Sequence, residues 1–158
     1  MLRRLVSYAD SMVEQSTAFF SCHDVSVGVA GRVLVNDLQL NVDRGEFIAV
    51  IGQNGVGKTL TMHALAGLRA ADSGDITAGG LPVTTTRRQE IARHLALLPQ
   101  HVDDIFPATA LDTVMIGRHP HIGRFGWESD NDVQIAVRAL ASVGLESFAA
   151  RDVLTLSG

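Results

Sequence analysis

Lys58 and Thr59 close the run Gly52-Gln53-Asn54-Gly55-Val56-Gly57-Lys58-Thr59. Its two fixed glycines, lysine and hydroxyl residue stand at the spacing G-x-x-x-x-G-K-[ST]. Each residue type has a separate task on a chain of phosphates. Glycines let the backbone take positive φ and approach an anion with no Cβ in the way. The N–H groups of the loop and of the helix it opens, from Gly52 through Leu60, then converge on the anion, and the helix dipole favours negative charge there. The Lys58 ammonium reaches the outer phosphates, and the Thr59 hydroxyl is placed to ligate Mg²⁺ beside them. The competing reading is a glycine-rich turn that binds nothing, and the flanks argue against it.

Those flanks must position the loop. Phe47-Ile48-Ala49-Val50-Ile51 is a short apolar run that reads as a buried strand. A helix is predicted from Lys58 to Leu68, with Leu60, Met62, Leu65 and Leu68 available for burial. Strand, glycine loop and helix form the context that the motif requires. Ahead of it, Val25, Val27 and Val29 alternate, Ala30-Gly31 reads as a turn, and residues 33–42 form a second strand with an irregularity at Asn36-Asp37. Asp43-Arg44-Gly45-Glu46 is a polar turn into the apolar run. The pattern predicts an antiparallel layer ahead of a parallel core.

Downstream, Gly67 and Asp72-Ser73-Gly74 interrupt the pattern, and residues 75–80 read as a strand and turn. Thr86-x-x-Gln89 has the form of a capping box opening a helix through Arg93. Leu95-Ala96-Leu97-Leu98 reads as another core strand, ending at Pro99-Gln100. Thr109 is an expected N-cap for a helix to Ile116, with Asp112 in its first turn. An amphipathic helix is predicted over residues 130–143, with Val133, Ala136, Val137, Leu140 and Ala141 on one face and Gly144 as its stop. A short helical piece is expected near residues 146–150. Residues 1–20 read as an N-terminal extension.

The bulk properties narrow the function classes. A chain of 158 residues is long enough for one domain with a core. The formal net charge of -4 provides no basic surplus for nucleic acid or anionic lipid. Cys22 is the single cysteine, so no internal disulfide forms, a cytosolic setting is favoured, and the thiol is expected to fill space in a core. No apolar run approaches the ~18 residues of a membrane span, so any membrane association is expected through a partner. His101, His119 and His121 lack Cys or acidic companions at ligand spacing, which argues against a structural or catalytic metal site at the histidines. Trp127 is expected to pack.

The phosphate loop, then Leu98-Pro99-Gln100, then a helical segment ending in Leu156-Ser157-Gly158, resembles the ATP-binding subunit of ABC transporters. The resemblance runs from about residue 21 to the end. Within the family, Ile116-Gly117-Arg118-His119-Pro120-His121 with the helix behind it looks most like the subgroup importing iron chelates, haem or cobalamin. The implied fold class is α/β: a phosphate-loop NTPase (RecA-like) core with an N-terminal antiparallel β layer and a helical subdomain. The division is residues 21–103 for the core and 104–158 for the helical part. The implied activity is ATP hydrolysis coupled to transmembrane transport, with ATP and Mg²⁺ as cofactors. Lys58 and Gln100 would be catalytic, Thr59 and Gln100 would serve Mg²⁺, and Gln100 would sit at the Q-loop. Ser157 and Gly158 would begin the signature that meets the ATP of a second subunit in a head-to-tail homodimer. A membrane-spanning permease is the implied partner, met by the loop over residues 118–125 with Arg118 and Arg124. The location is the inner face of the cell membrane.

The sequence also departs from the pattern. It stops at the first glycine of the signature, so it reads as C-terminally truncated. The acidic strand with its Mg²⁺ aspartate and general-base glutamate is not in it, nor is the switch histidine, and Asp103 and Asp104 do not replace them. Turnover by this chain alone is therefore expected to be inefficient. The aromatic that stacks on adenine in the family would fall near Val29, and Lys58-Thr59-Leu60 stands where many members have Lys-Ser-Thr. One alternative is a soluble, non-transport ABC-type ATPase of translation or DNA repair, although no duplicated domain, coiled-coil insertion or basic arm is visible. Another is a different phosphate-loop protein such as a kinase or GTPase, against which Gln100 and Leu156-Ser157-Gly158 argue.

Overall fold

The computed structural model describes residues 18–100, 107–123 and 126–156. Strands β1 (Phe20–Val29) and β2 (Arg32–Val42) form the hairpin that the valine alternation predicts, closed at Ala30 and Gly31, both at positive φ. Strand β3 (Ser73–Ala78) pairs with the other edge of β1, and the two-residue β4 (Leu81–Pro82) follows after Gly79-Gly80. The order is β2-β1-β3-β4 and every pairing is antiparallel.

Along β1 the inward face changes phase. Cys22 points into the core, then Val25 and Val27 do, with His23 and Asp24 outside. An even-to-odd switch requires an extra residue in the strand. Asp24 supplies it at φ 52, where the register against β2 shifts, and Asp37 on β2 has φ 52 as well. The irregularity at Asn36-Asp37 is thus real. At the bulge, a Cβ on Gly74 of β3 would lie 2.5 Å from the Asp24 carbonyl carbon, so the strands approach there only because the residue is glycine.

Helix α1 (Lys58–Leu65) lays Thr61, Ala64 and Leu65 on the sheet. Ala64 and Leu65 join Cys22, Val25, Val27, Ile76, Ala78, Val83 and Ile91 in one core, with Cys22 fully buried as expected of a small filler. The helix is shorter than predicted because Gly67, at φ 69, ends it. Gly67 N donates to Ala64 O and Leu68 N donates to His63 O, the pair of bonds that closes a Schellman motif. Leu68 consequently lies beyond the helix and is exposed, and Met62 is exposed on α1 away from the sheet-facing residues.

Helix α2 (Arg88–Ile91) is a single turn capped by Arg87 with no side-chain bond. The expected Thr86–Gln89 capping box does not form, because helix entry falls one residue later and Gln89 is drawn elsewhere (below). Helices α3 (Ala110–Ile116) and α4 (Asp130–Ser142) pack together around Ala110, Met115, Ala136 and Leu140. Both open on capping boxes: Thr109, the expected N-cap, with Asp112, and Ser129 with Asp132, neither box being among the expectations. Gly144, at φ 74, closes α4: its N–H donates to Ala141 O and the following Leu145 N–H donates to Leu140 O. A 3-10 turn at Glu146–Phe148 follows, and backbone bonds from Ala110, Leu111 and Val153 tie the last segment to the start of α3.

Three expectations need correction. Residues 47–51 and 95–98 form no strand, and Phe47, Ile51 and Leu98 are about nine-tenths exposed. A strand needs a hydrogen-bonded neighbour, and among the described residues neither run has one. Trp127 does not pack and is 94% exposed. The extension read over residues 1–20 lies outside the described residues as far as residue 17.

The α4 cap carries a pH signature. The Asp132 carboxyl is held below its ordinary pKa, first by the Ser129 hydroxyl, then by the Ser129 N–H and by Arg118. A carboxyl whose folded pKa is depressed stabilises the fold above its unfolded pKa of about 4 and loses that contribution as pH falls through the folded value. Urea unfolding from pH ~6 to ~2 should therefore show wild type losing more stability than Asp132→Asn, the two curves converging at the acid end; parallel curves would show that the cap carries no linkage.

Candidate phosphate-binding site

The loop at residues 52–57 lies open to solvent ahead of α1, with Gly55 at φ 78 and Gly57 at φ 103. Gly57 is the N-cap of α1, and two constraints make it glycine. Its φ is left-handed, and a Cβ there would lie 2.8 Å from Leu34 Cδ1 and 3.0 Å from Leu34 Cβ. Leu34 of β2 is thus the wall against which the loop is seated. The spacing of the motif identifies the glycine, but not its contact on a strand more than twenty residues earlier.

The first turn of α1 has no capping side chain and no acidic residue, which leaves its N–H groups directed out of the helix end. Lys58 Nζ folds back over the loop and donates to Gly52 O at 2.6 Å and Gln53 O at 2.8 Å. The ammonium is therefore held against the loop backbone. Thr59 is exposed beside it, Leu60 is half-buried, and Gln53, Asn54 and Val56 line the open rim. The arrangement suits an anion with several oxygens: fixed N–H donors, one mobile cation and one hydroxyl at a helix N-terminus.

Other predicted residues are not gathered in. Gln100 is exposed and, among the described residues, makes no hydrogen bond to the loop. Ser157, Gly158, Arg124, Phe125, His101, Asp103 and Asp104 lie outside the described residues. Val29, at the end of β1, is 39% exposed. Arg118 does not face outward as expected. Its Nε and Nη2 each lie 3.0 Å from Asp132 Oδ1, with the side chain 19% exposed. His119 Nε2 lies 4.0 Å from Glu128 Oε1 on the surface. No helix among the described residues is long and apolar enough to cross a membrane.

The sequence profile of the family described as "ABC transporter" matches residues 35–158, more than three quarters of the chain and the whole of the loop, α1 and the helical unit. The chain belongs to the ABC transporter family. Among its relatives, the hemin import ATP-binding protein HmuV of Deinococcus radiodurans is 40% identical over 135 residues, 85% of this chain and 50% of that protein. The cobalamin import ATP-binding protein BtuD of Halobacterium salinarum is 35% identical over 134 residues, 85% of this chain and 33% of that one. The chain thus spans between a third and half of the length of these curated relatives. Among solved structures, a metal-chelate type ABC transporter in an inward-facing conformation superposes with a TM-score of 0.73 and 26% identity, covering 89% of this chain and 51% of that one. The α/β phosphate-loop fold with its antiparallel layer and helical part is accordingly that of an ABC ATP-binding cassette.

Leu34 offers a direct test of how this ABC transporter chain seats its loop. Gly57→Ala should weaken ATP binding and lower stability by about 1–3 kcal/mol through φ strain and overlap with Leu34. Adding Leu34→Ala should relieve the overlap but not the strain. Calorimetry with urea unfolding checks this, and a double variant as unstable as the sum of the single ones would show that the two residues do not press on each other.

Proposed function

We propose that this chain supplies the ATP-binding half of an importer's ATPase subunit, and the phosphate loop seated on Leu34 is the observation that carries the reading. In it, Gly52 to Leu60 enclose the triphosphate, and Lys58 Nζ leaves the carbonyls of Gly52 and Gln53 for the outer phosphates. The exchange replaces two neutral acceptors with an anion, and charge-assisted bonds are the stronger ones. The Thr59 hydroxyl, exposed one residue further on, and the Gln100 side-chain oxygen are hard oxygen donors of the kind Mg²⁺ takes. Bound Mg²⁺ would neutralise charge on the phosphates. Gln100 is assigned to the Q-loop, where it responds to the nucleotide's outer end.

The relatives' names and the family support a wider assembly. Ser157 and Gly158 are assigned to the signature that meets the ATP of a second subunit, in a head-to-tail homodimer. A membrane-spanning permease is the partner, which places the subunit peripherally on the inner face of the cell membrane. Residues 21–103 are assigned to the core and residues 104–158 to the helical subdomain. The named relatives that import hemin and cobalamin, and the metal-chelate transporter structure, support an iron chelate, haem or cobalamin as cargo.

Isothermal titration with Mg·ATP tests the reading at its base. Lys58→Ala should weaken binding by at least about tenfold, the value of one charge-assisted hydrogen bond. Equal binding by wild type and variant would remove Lys58 from the site. The cargo is tested by uptake: cells lacking the gene should fail to take up one of haem, cobalamin or an iron chelate, and recover with wild type but not with Lys58→Ala.

A further inference from the structure

A polar route joins the body that carries the phosphate loop to the helical unit, and it runs through α2. Among the described residues, the hydrogen bonds that cross from residues 18–100 to residues 107–156 are three, all from two side chains of one short segment. Gln89 Nε2 donates to Pro120 O at 3.3 Å and to Ile122 O at 2.9 Å, and Arg93 Nε donates to Pro120 O at 2.8 Å. Gln89 and Arg93 are four residues apart, the spacing that puts two side chains on one face of a helical turn. They grip the 3-10 turn His119–His121 at Pro120 O and at the carbonyl of Ile122, its C-cap.

Both ends of this grip are anchored. Behind α2, Ile91 is buried in the core with Val83 and with Leu65 of α1. A Cβ on Gly67, which terminates α1, would lie 2.5 Å from Val83 Cγ1, so the end of α1 rests on Val83, which shares the core with Ile91 of α2. Beyond the grip, Arg118 immediately precedes the 3-10 turn and holds Asp132 Oδ1, while Asp132 Oδ2 accepts from Ser129 N at 3.1 Å and Ser129 Oγ at 2.5 Å. One carboxylate thereby joins the turn to the N-terminal cap of α4.

We propose that Gln89 and Arg93 form a latch that couples displacement of α1 to the orientation of the α3–α4 unit, through Val83 and Ile91 on one side and Arg118 and Asp132 on the other. Isolated exposed hydrogen bonds contribute little to stability. These matter through their position, as the polar bridge between two separately packed bodies. The latch rests on the structure alone, and only its nucleotide response rests on the function proposed above. Coupling between sites has to be demonstrated by a response at one when the other is perturbed.

Hydrogen–deuterium exchange on the full chain tests it. The variant is Gln89→Glu with Arg93→Ala, the first nearly isosteric and unable to donate. Without nucleotide, exchange at the Ile122 and Asp132 amides should rise roughly fivefold to tenfold while β1 and β2 amides stay unchanged, and Arg93→Lys in place of Arg93→Ala should restore part of the protection. Unchanged exchange at Ile122 and Asp132 would overturn the latch. With saturating Mg·ATP, wild type should change its exchange at Asp132 and the variant should not, although both bind ATP equally; the same change in the variant would overturn the coupling. A wild type that binds no ATP would refute the function proposed above and leave the nucleotide-free comparison to decide the latch.

Discussion

Two glycines fix α1 in place, and the rest of the structure is arranged about that helix. At its start, Gly57 rests against Leu34 of β2, and just past its end Gly67 meets Val83. Between them Ala64 and Leu65 are buried on the antiparallel sheet. A side chain at either glycine would push the helix off its seat, because interiors packed at crystal-like density do not absorb an added methyl freely. The antiparallel layer is thus the surface that sets where the loop lies and where its lysine reaches. The bulge at Asp24 serves the same end: it turns Val25 and Val27 inward beside Cys22, so β1 offers α1 a continuous apolar face.

Features written in local chemistry were legible in the sequence. The loop glycines, the Ala30-Gly31 turn, the Thr109 cap and the Gly144 stop each follow from one residue's conformational preference. Features that depend on distant partners were not. Nothing near Gly57 points to Leu34, and nothing near Gln89 points to the carbonyls of Pro120 and Ile122. The Ser129-x-x-Asp132 cap is also written locally, one turn ahead of the apolar face of α4. Arg118 shows why a cationic residue in a glycine-rich loop is a poor guide to a surface: its partner is fourteen residues on and pulls it inward.

The apolar runs at residues 47–51 and 95–98 failed as strands for an instructive reason. Their composition is that of strands buried on both faces, and such strands acquire their structure from neighbours on either side. Among the described residues those neighbours are missing, and Phe47, Ile51 and Leu98 face solvent. Composition states what a segment can pair with, whereas pairing itself is a property of the whole sheet. The α3–α4 unit shows the converse. Its helices satisfy their backbones internally, cap themselves and bury Ala110 and Met115 of α3 with Ala136 and Leu140 of α4, so it forms without strand neighbours.

Trp127 is the single tryptophan of the chain, and it borders a hollow of about 420 Å³ shared with Gln89, His119, Ile122 and Glu128. Its indole therefore stands at the seam between the two packed bodies, in water, with a carboxylate and an imidazole for company. That makes the molecule its own optical gauge. Emission colour and quenching by added iodide or acrylamide will follow how wet and how crowded this seam is, without a dye or an engineered label, and rapid mixing can time changes there directly.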